Sequence, residues 1–85
     1  MKLKQSRIFI KQFNQLPPKI QNQFQARLRL WLEEPNHPQL RVHPLVGRYA
    51  GYWSLIVTGD VRALYYFEGD TVVVFAFIGR HYQLY

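Results

Sequence analysis

Three short polar segments interrupt the apolar C-terminal half of this chain, at residues 41–43, 59–62 and 79–85. The side chains in them that can act on a phosphate are His43, Asp60, Arg62, His81 and Tyr85. Metal-independent cleavage of RNA needs a base for the ribose 2′-OH, a cation for the phosphoryl oxygens and an acid for the departing 5′-oxygen. Histidine suits the proton transfers, and the arginine fork suits the phosphate. These residue types predict a protein that binds RNA and cleaves it.

Each of these residues also has a structural interpretation. A single strand histidine such as His43 is more often structural than catalytic, and Asp60 follows a glycine in a pattern typical of turns. Arg62 is equally compatible with a solubilising charge at a strand edge. His37, between an asparagine and a proline, is interpreted as a loop residue. Spacing alone does not decide whether the candidate residues converge.

Other kinds of site find no support in the sequence. The chain has no cysteine, and two histidines without a third clustered ligand do not predict a zinc site. It contains neither a phosphate-binding Gly-x-x-x-x-Gly-Lys loop nor a Gly-x-Ser-x-Gly nucleophile elbow. We therefore predict no metal and no cofactor.

The positive charge is concentrated in the N-terminal half. The net charge is +6, and residues 1–48 hold nine of the 11 lysines and arginines against two glutamates. A basic surface of this kind attracts polyanions by counterion release, although it also simply aids solubility. The candidates for electrostatic contact with RNA are Lys11, Arg41, Arg48 and Arg80. The charge also suits an acidic partner protein.

The length of 85 residues predicts one domain, spanning residues 1–85. The longest apolar run, residues 72–78, is far shorter than the roughly 20 residues that a membrane-spanning helix needs. No secretory signal pattern is visible at the start of the sequence. We expect a cytoplasmic protein without a membrane partner.

Hydrophobic spacing predicts two helices, followed by strands. Phe9, Phe13 and Leu16 form one helical stripe that begins after Ser6, a residue suited to capping. Residues 17 and 18 are prolines, which end this helix and begin a second that runs to Glu34. Four strands are predicted after it, at residues 40–46, 52–57, 61–67 and 71–78, and residues 2–5 add a possible edge strand. The fold class is α+β, with two N-terminal helices packed on a small antiparallel sheet.

The order of the motifs resembles that of the RelE/ParE superfamily of toxins from type II toxin–antitoxin systems, and most nearly its YafQ-like branch of mRNA interferases. The resemblance rests on residues 43–47 (HPLVG), 51–54 (GYWS), 59–65 (GDVRALY) and 79–85 (GRHYQLY), in that order. Residues 16–18 (LPP), between the two helices, fit the same plan. The resemblance therefore covers nearly the whole chain.

This resemblance implies an endoribonuclease that enters the ribosomal A site and cuts mRNA by attack of the 2′-OH, leaving a cyclic phosphate. It implies proton transfer by His43 and His81, an acidic role for Asp60, and phosphate binding by Arg62. Tyr85 matches the family's terminal aromatic residue, which stacks on a base or aligns the phosphate. A cognate acidic antitoxin, bound in a hetero-oligomer, is implied as the partner.

The chain departs from the YafQ-like pattern at Ile56, where those toxins carry a further histidine. The superfamily also includes ParE-like inhibitors of DNA gyrase, which lack the nuclease histidines. His43 and His81 oppose that alternative, whereas Ile56 favours it. A third interpretation is a catalytically decayed toxin that only binds its antitoxin.

Overall fold

Three helices and a five-stranded sheet form the fold in the computed structural model, which describes residues 1–84. The strands are β1 (Lys2–Gln5), β2 (His43–Pro44), β3 (Trp53–Ile56), β4 (Val61–Glu68) and β5 (Val72–Arg80). The helices are α1 (Arg7–Asn14), α2 (Pro18–Glu33) and the short α3 (His81–Leu84). Two 3-10 turns, Pro38–Leu40 and Gly47–Tyr49, flank β2.

The helix boundaries follow the capping residues that the sequence contains. The Ser6 hydroxyl accepts a hydrogen bond from the Phe9 amide at 2.9 Å and donates one to the Ala76 carbonyl at 2.6 Å, so it both caps α1 and ties it to β5. Pro18 occupies the first position of α2, where no amide hydrogen is needed. Both predicted helices are therefore confirmed.

The sheet has the order β1-β5-β4-β3-β2. Strands β2 to β5 form the predicted antiparallel meander, but β1 runs parallel to β5, with Lys2 beside Val72. The α+β class is confirmed, and the sheet is mixed rather than purely antiparallel. The N-terminal strand can be parallel because two helices separate it from the meander and carry the chain back across the sheet.

Residues 40–46 do not form the strand that was predicted there. Leu40 ends a 3-10 turn, and Arg41 has a left-handed backbone with φ 46°. Pro44 has no amide hydrogen to extend a ladder, so β2 is limited to two residues at the sheet edge. The prediction failed because an apolar residue can pack in the core from a turn as well as from a strand. Leu40, for example, is fully buried at the end of its 3-10 turn.

Aromatic side chains fill the space between the helices and the sheet. Phe9 of α1 and Phe24 of α2 both pack against Phe75 of β5. Trp31 packs edge-on against Tyr65, and its Nε1 donates a hydrogen bond to the Tyr65 hydroxyl at 3.1 Å. Burial raises the pKa of the Tyr65 phenol, while the hydrogen bond from Trp31 acts in the opposite direction.

Strand β5 is buried on both faces, which explains its continuous apolar sequence. Val73 and Phe75 belong to the core beneath the helices. Val74 and Ala76, the residues that follow each of them, are also buried, with only 6% and 5% of their surface exposed. A register shift between Leu64 and Tyr65 of β4 accommodates one extra residue of β5. Within residues 1–84, no helix is long and apolar enough to cross a membrane.

Candidate active site on the open face of the sheet

The sheet face that turns away from α1 and α2 carries most of the candidate catalytic residues. We call it the open face. Leu55, Ala63 and Ile78 belong to the core on the helix side, so their strand neighbours point the other way. One row across the open face contains His43, Ser54, Leu64 and Phe77, and the next contains Ile56, Arg62 and Gly79. His43 and Arg62 therefore share a face, in adjacent rows.

Arg62 is held by the turn that precedes its own strand. Its Nη1 donates to the carbonyls of Thr58 at 3.0 Å, Gly59 at 3.2 Å and Val61 at 3.3 Å. All three hydrogen bonds use one nitrogen of the guanidinium group. Within residues 1–84, Nε and Nη2 make no hydrogen bond and can bind a ligand. The turn therefore orients the guanidinium group while leaving two of its nitrogens available.

His43 has its ring orientation fixed by the main chain. Its Nδ1 lies 3.0 Å from the carbonyl oxygen of Arg41. Because a carbonyl only accepts, Nδ1 must carry the proton in this contact. The neutral ring then has its lone pair on Nε2, the nitrogen that can take a proton from a substrate hydroxyl. The Arg41 residue that supplies this carbonyl has a left-handed backbone.

Asp60 and His81 meet through the main chain rather than through a carboxylate–imidazole contact. The His81 amide donates to the Asp60 carbonyl at 2.8 Å, which joins the start of α3 to the β3–β4 turn. The Asp60 carboxylate instead binds Arg80, with 3.0 Å between Oδ2 and Nη1. His81 is exposed at the beginning of α3. Asp60 thus holds the Arg80 guanidinium through its carboxylate and the His81 backbone through its carbonyl.

The short helix α3 lies over Gly79 on the open face. A Cβ atom at Gly79 would lie 3.2 Å from Oε1 of Gln83 and 3.6 Å from Cδ2 of Leu84. Because Arg62 pairs with Gly79, that Cβ direction is also the direction of the Arg62 side chain. The absence of a side chain at Gly79 lets α3 approach closely beside Arg62.

Arg62 lies between the two histidines in the order of the strands. His43 is on β2, Arg62 on β4 and His81 at the end of β5. Two strand spacings, roughly 10 Å, separate β2 from β4, and one separates β4 from β5. In the order of the strands, one histidine therefore lies on each side of Arg62.

The basic candidates do not all reach this face. Arg80 is held beside His81 by Asp60, and the Arg48 guanidinium lies 5.5 Å from the centre of the Tyr49 ring. Arg41 is exposed next to His43. Lys11 is in the last turn of α1, in the helix layer, and is not brought to the open face. Tyr85 lies outside the described residues.

Sequence reasoning missed an aromatic cluster on the open face. Tyr52 contacts Tyr66, with ring centres 5.3 Å apart, and also contacts Phe77 and Tyr49. These rings, together with buried Leu64, cover the part of the face next to His43. Alternation in β4 was the available signal for Tyr66, which follows the core residues Ala63 and Tyr65 at an odd spacing. The register shift in β5 puts Phe77 on the open face, and its continuous apolar sequence gave no such signal. No group of three potential metal ligands occurs within residues 1–84.

Several solved toxin structures are similar to this one. YafQ from E. coli superposes with a TM-score of 0.84 at 20% identity, covering 99% of this chain and 97% of that chain. The YoeB/ParE toxin from Agrobacterium tumefaciens superposes with a TM-score of 0.80 at 22% identity, covering 96% of this chain and 100% of that chain. A copper-bound mutant toxin from Helicobacter pylori superposes with a TM-score of 0.76 at 26% identity, covering 100% of this chain and 99% of that chain.

YafQ is also matched in the E. coli DinJ–YafQ toxin–antitoxin complex, at a TM-score of 0.76 and 22% identity, covering 99% of this chain and 96% of that one. No protein-family model matches the sequence, and no curated protein matches it. The resemblance to the RelE/ParE toxins inferred from the motifs is thus confirmed in the fold.

Proposed function

We propose that this chain, which has the fold of the RelE/ParE toxins, is the toxin of a type II toxin–antitoxin system and a metal-independent endoribonuclease. The observation that carries the proposal is the position of Arg62, between His43 and His81 and on the sheet face that α1 and α2 leave open. In RNA cleavage by the 2′-OH, the attacking and leaving oxygens lie on opposite sides of the phosphorus. A base and an acid on opposite sides of a phosphate-binding arginine fit that requirement.

The reaction divides between the three side chains. Nε2 of His43 takes the proton of the 2′-OH as its oxygen forms a bond to phosphorus. Arg62 donates from Nε and Nη2 to the phosphoryl oxygens, where negative charge increases. His81, protonated, gives its proton to the 5′-oxygen as the bond between phosphorus and that oxygen breaks. The products are a 2′,3′-cyclic phosphate and a 5′-hydroxyl end.

The assignment of His43 as base is supported by its contact with the Arg41 carbonyl, which keeps the proton on Nδ1 and the lone pair on Nε2. His81 is then the acid. Asp60 is a positioning residue: it holds Arg80 by its carboxylate and the start of α3 by its carbonyl. Tyr85 remains proposed to stack on a base or align the phosphate.

The partners proposed are an acidic antitoxin, the ribosomal A site and its mRNA. The net charge of +6 supports the first, and the DinJ–YafQ complex supplies the precedent in a protein of the same fold. Arg41 and Arg48, beside the open face, and Arg80, at the end of β5, are proposed to contact RNA. Lys11 contributes only to the overall field, because it lies in the helix layer.

One observation favours a second function. Ile56 stands where YafQ-like toxins carry a histidine, and a toxin with a reduced catalytic set is compatible with ParE-like inhibition of DNA gyrase. A decayed toxin that only binds its antitoxin is compatible with the same substitution. Both alternatives leave His43 and Arg62 without a function on the open face.

Primer extension on cellular mRNA after induction of the protein tests the proposal. We expect new RNA ends in phase with the reading frame, and their loss in the His81→Ala variant. His37→Ala is the matched control, because His37 caps a 3-10 turn outside the open face. Growth arrest without new ends, together with inhibition of gyrase supercoiling by the purified protein, would establish the gyrase alternative. No growth arrest would indicate the decayed toxin.

A further inference from the structure

A cavity of about 370 Å³ lies at the edge of β5, between the C-terminal end of α1 and α3. It forms because β1 stops pairing with β5 at Phe75, which leaves the last residues of β5 without a neighbouring strand on that side. Its polar lining consists of Gln12, Gln15, Arg80 and Gln83, and no acidic residue lines it. The volume falls within the range of small-ligand sites, roughly 300–1,000 Å³.

Two glutamine side chains replace the missing strand at this edge. Oε1 of Gln12 accepts a hydrogen bond from the Ile78 amide at 2.9 Å, and Oε1 of Gln83 accepts one from the Arg80 amide at 3.0 Å. A backbone amide requires an acceptor, so the orientation of both side-chain amides is fixed. Within residues 1–84, the Nε2 donors of both are left without a partner beside the cavity.

The guanidinium of Arg80 adds further donors. The ion pair with Asp60 uses one of its nitrogens, Nη1. The cavity therefore presents the amide donors of two glutamines beside the positive charge of Arg80, with no carboxylate in its lining to compete for them. Such a set of donors suits an oxyanion, because a phosphate accepts several hydrogen bonds at once.

Apolar residues complete the cavity. Leu16 and Pro17, between α1 and α2, lie with Ile78 on its other side. A ribose or a base can pack on such a surface while its phosphate faces the donors. The cavity also adjoins Gly79 and Arg80, the residues between Arg62 on one side and His81 on the other.

We infer that this cavity binds one nucleotide of the RNA strand that crosses the open face, with its phosphate held by Arg80, Gln12 and Gln83. The inference rests on the proposed function and adds a substrate subsite to it. A carboxylate of an acidic protein partner has similar chemistry, but the apolar wall and the continuity with Arg62 and His81 favour RNA.

Glutamate substitutions test the site with little change of shape. Gln12→Glu and Gln83→Glu keep an oxygen for the backbone amide and replace the cavity donor by a negative acceptor. Gln23→Glu is the control, because Gln23 is exposed on α2 and the change in net charge is the same. Gln15→Lys adds a cation to the lining at an exposed position.

The probe is a short, fluorescently labelled 2′-O-methyl RNA, which binds but lacks the attacking hydroxyl. We expect Gln12→Glu and Gln83→Glu each to weaken binding about tenfold, as for loss of a hydrogen bond to a charged group. Gln23→Glu should change the dissociation constant by less than about twofold, since distant surface charges are screened. Gln15→Lys should tighten binding and steepen its dependence on salt.

The outcomes separate the subsite from the proposed function. If the unmodified chain binds and cleaves RNA, and the cavity variants bind as tightly as Gln23→Glu does, the subsite is wrong and the function stands. If the chain does not bind the free RNA but primer extension shows new RNA ends, the subsite is wrong and the function stands; if it neither binds RNA nor produces new ends, both are wrong. If the cavity variants lose binding of polyglutamate but not of RNA, the cavity is a site for a protein carboxylate. Should Gln12→Glu fail to fold, Gln15→Lys still decides, since unchanged binding contradicts the inference.

Discussion

Ile56 of β3 lies directly opposite Arg62 of β4, and the two side chains share the open face. A side chain at residue 56 is therefore next to the proposed phosphate position. We predict that Ile56→His increases RNA cleavage by about tenfold, because it adds a proton-transfer group there. The measurement is the single-turnover rate on an RNA substrate. Ile56→Asn is the control for polarity alone, and an equal gain in that variant would contradict the proton-transfer explanation.

Arg62 provides a second prediction, through the shape of its guanidinium. Arg62→Lys keeps the charge but loses the fork, so we expect cleavage to fall about 10²-fold, the effect of losing an oriented donor to a reacting oxyanion. RNA binding should fall much less, because the positive charge remains. Arg29→Lys, at an exposed position of α2, is the control and should change neither RNA cleavage nor RNA binding. Equal losses in binding and cleavage would show that Arg62 only attracts the substrate.

Gly79 allows α3 to lie beside Arg62, and a larger residue there should move the helix. Gly79→Val places methyl groups against Leu84 and Gln83. We expect cleavage to fall at least about tenfold while far-UV circular dichroism still reports a folded sheet, since strained contacts of this kind cost about 1–3 kcal/mol. Gly59→Ala is the matched control, because nothing lies within 4 Å of a Cβ atom at Gly59. A fully active Gly79→Val would show that the position of α3 is not important.

The Trp31–Tyr65 hydrogen bond leads to a prediction about stability. Tyr65→Phe leaves the buried Trp31 Nε1 without its acceptor, which should cost about 1–3 kcal/mol of unfolding free energy. Tyr66→Phe removes a hydroxyl from the open face instead and should cost less than about 0.5 kcal/mol. Urea denaturation of both variants at neutral pH provides the comparison. Equal stabilities would mean that the buried hydrogen bond contributes nothing net.

The same tyrosine should make stability depend on alkaline pH. Burial raises the pKa of Tyr65 in the folded chain above its ordinary value. The folded state therefore binds this proton more tightly than the unfolded state, and its contribution is complete below the unfolded pKa of about 10. That contribution is lost as the pH rises from there through the folded pKa. Tyr65→Phe should flatten this part of the pH profile; an unchanged profile would assign the alkaline loss to other groups.

Local signals in the sequence predicted the helices and the later strands, because each depends on neighbouring residues. Ser6 caps α1, the prolines at 17 and 18 separate the helices, and Gly69 supplies a positive φ of 67° in the β4–β5 turn. The strand predicted at residues 40–46 was wrong, because apolar composition does not distinguish a strand from a buried turn. The parallel pairing of β1 required knowledge of long-range topology.

The sequence named candidate residues for the site, and their assignment stays a prediction; it could not give the contacts between them. The pairing of the Asp60 carboxylate with Arg80, rather than with a histidine, depends on how the end of β5 meets the β3–β4 turn. Similarly, Gln12 and Gln83 are separated by most of the sequence, and only the unpaired edge of β5 brings both to one cavity. Polar residues of this kind carry no periodic signal.

The parallel pairing of β1 with β5 also sets the time at which this protein becomes complete. Residues 2–5 find their partner only when residues 72–75 exist, and contacts between such distant segments form late. A chain still emerging from a ribosome can form α1 and α2, but neither the Arg62–Gly79 pairing nor α3. Under the proposed function, a chain still being synthesised lacks the complete Arg62 site and cannot cleave the mRNA on its own ribosome. The same delay would give the proposed antitoxin time to bind before the sheet closes.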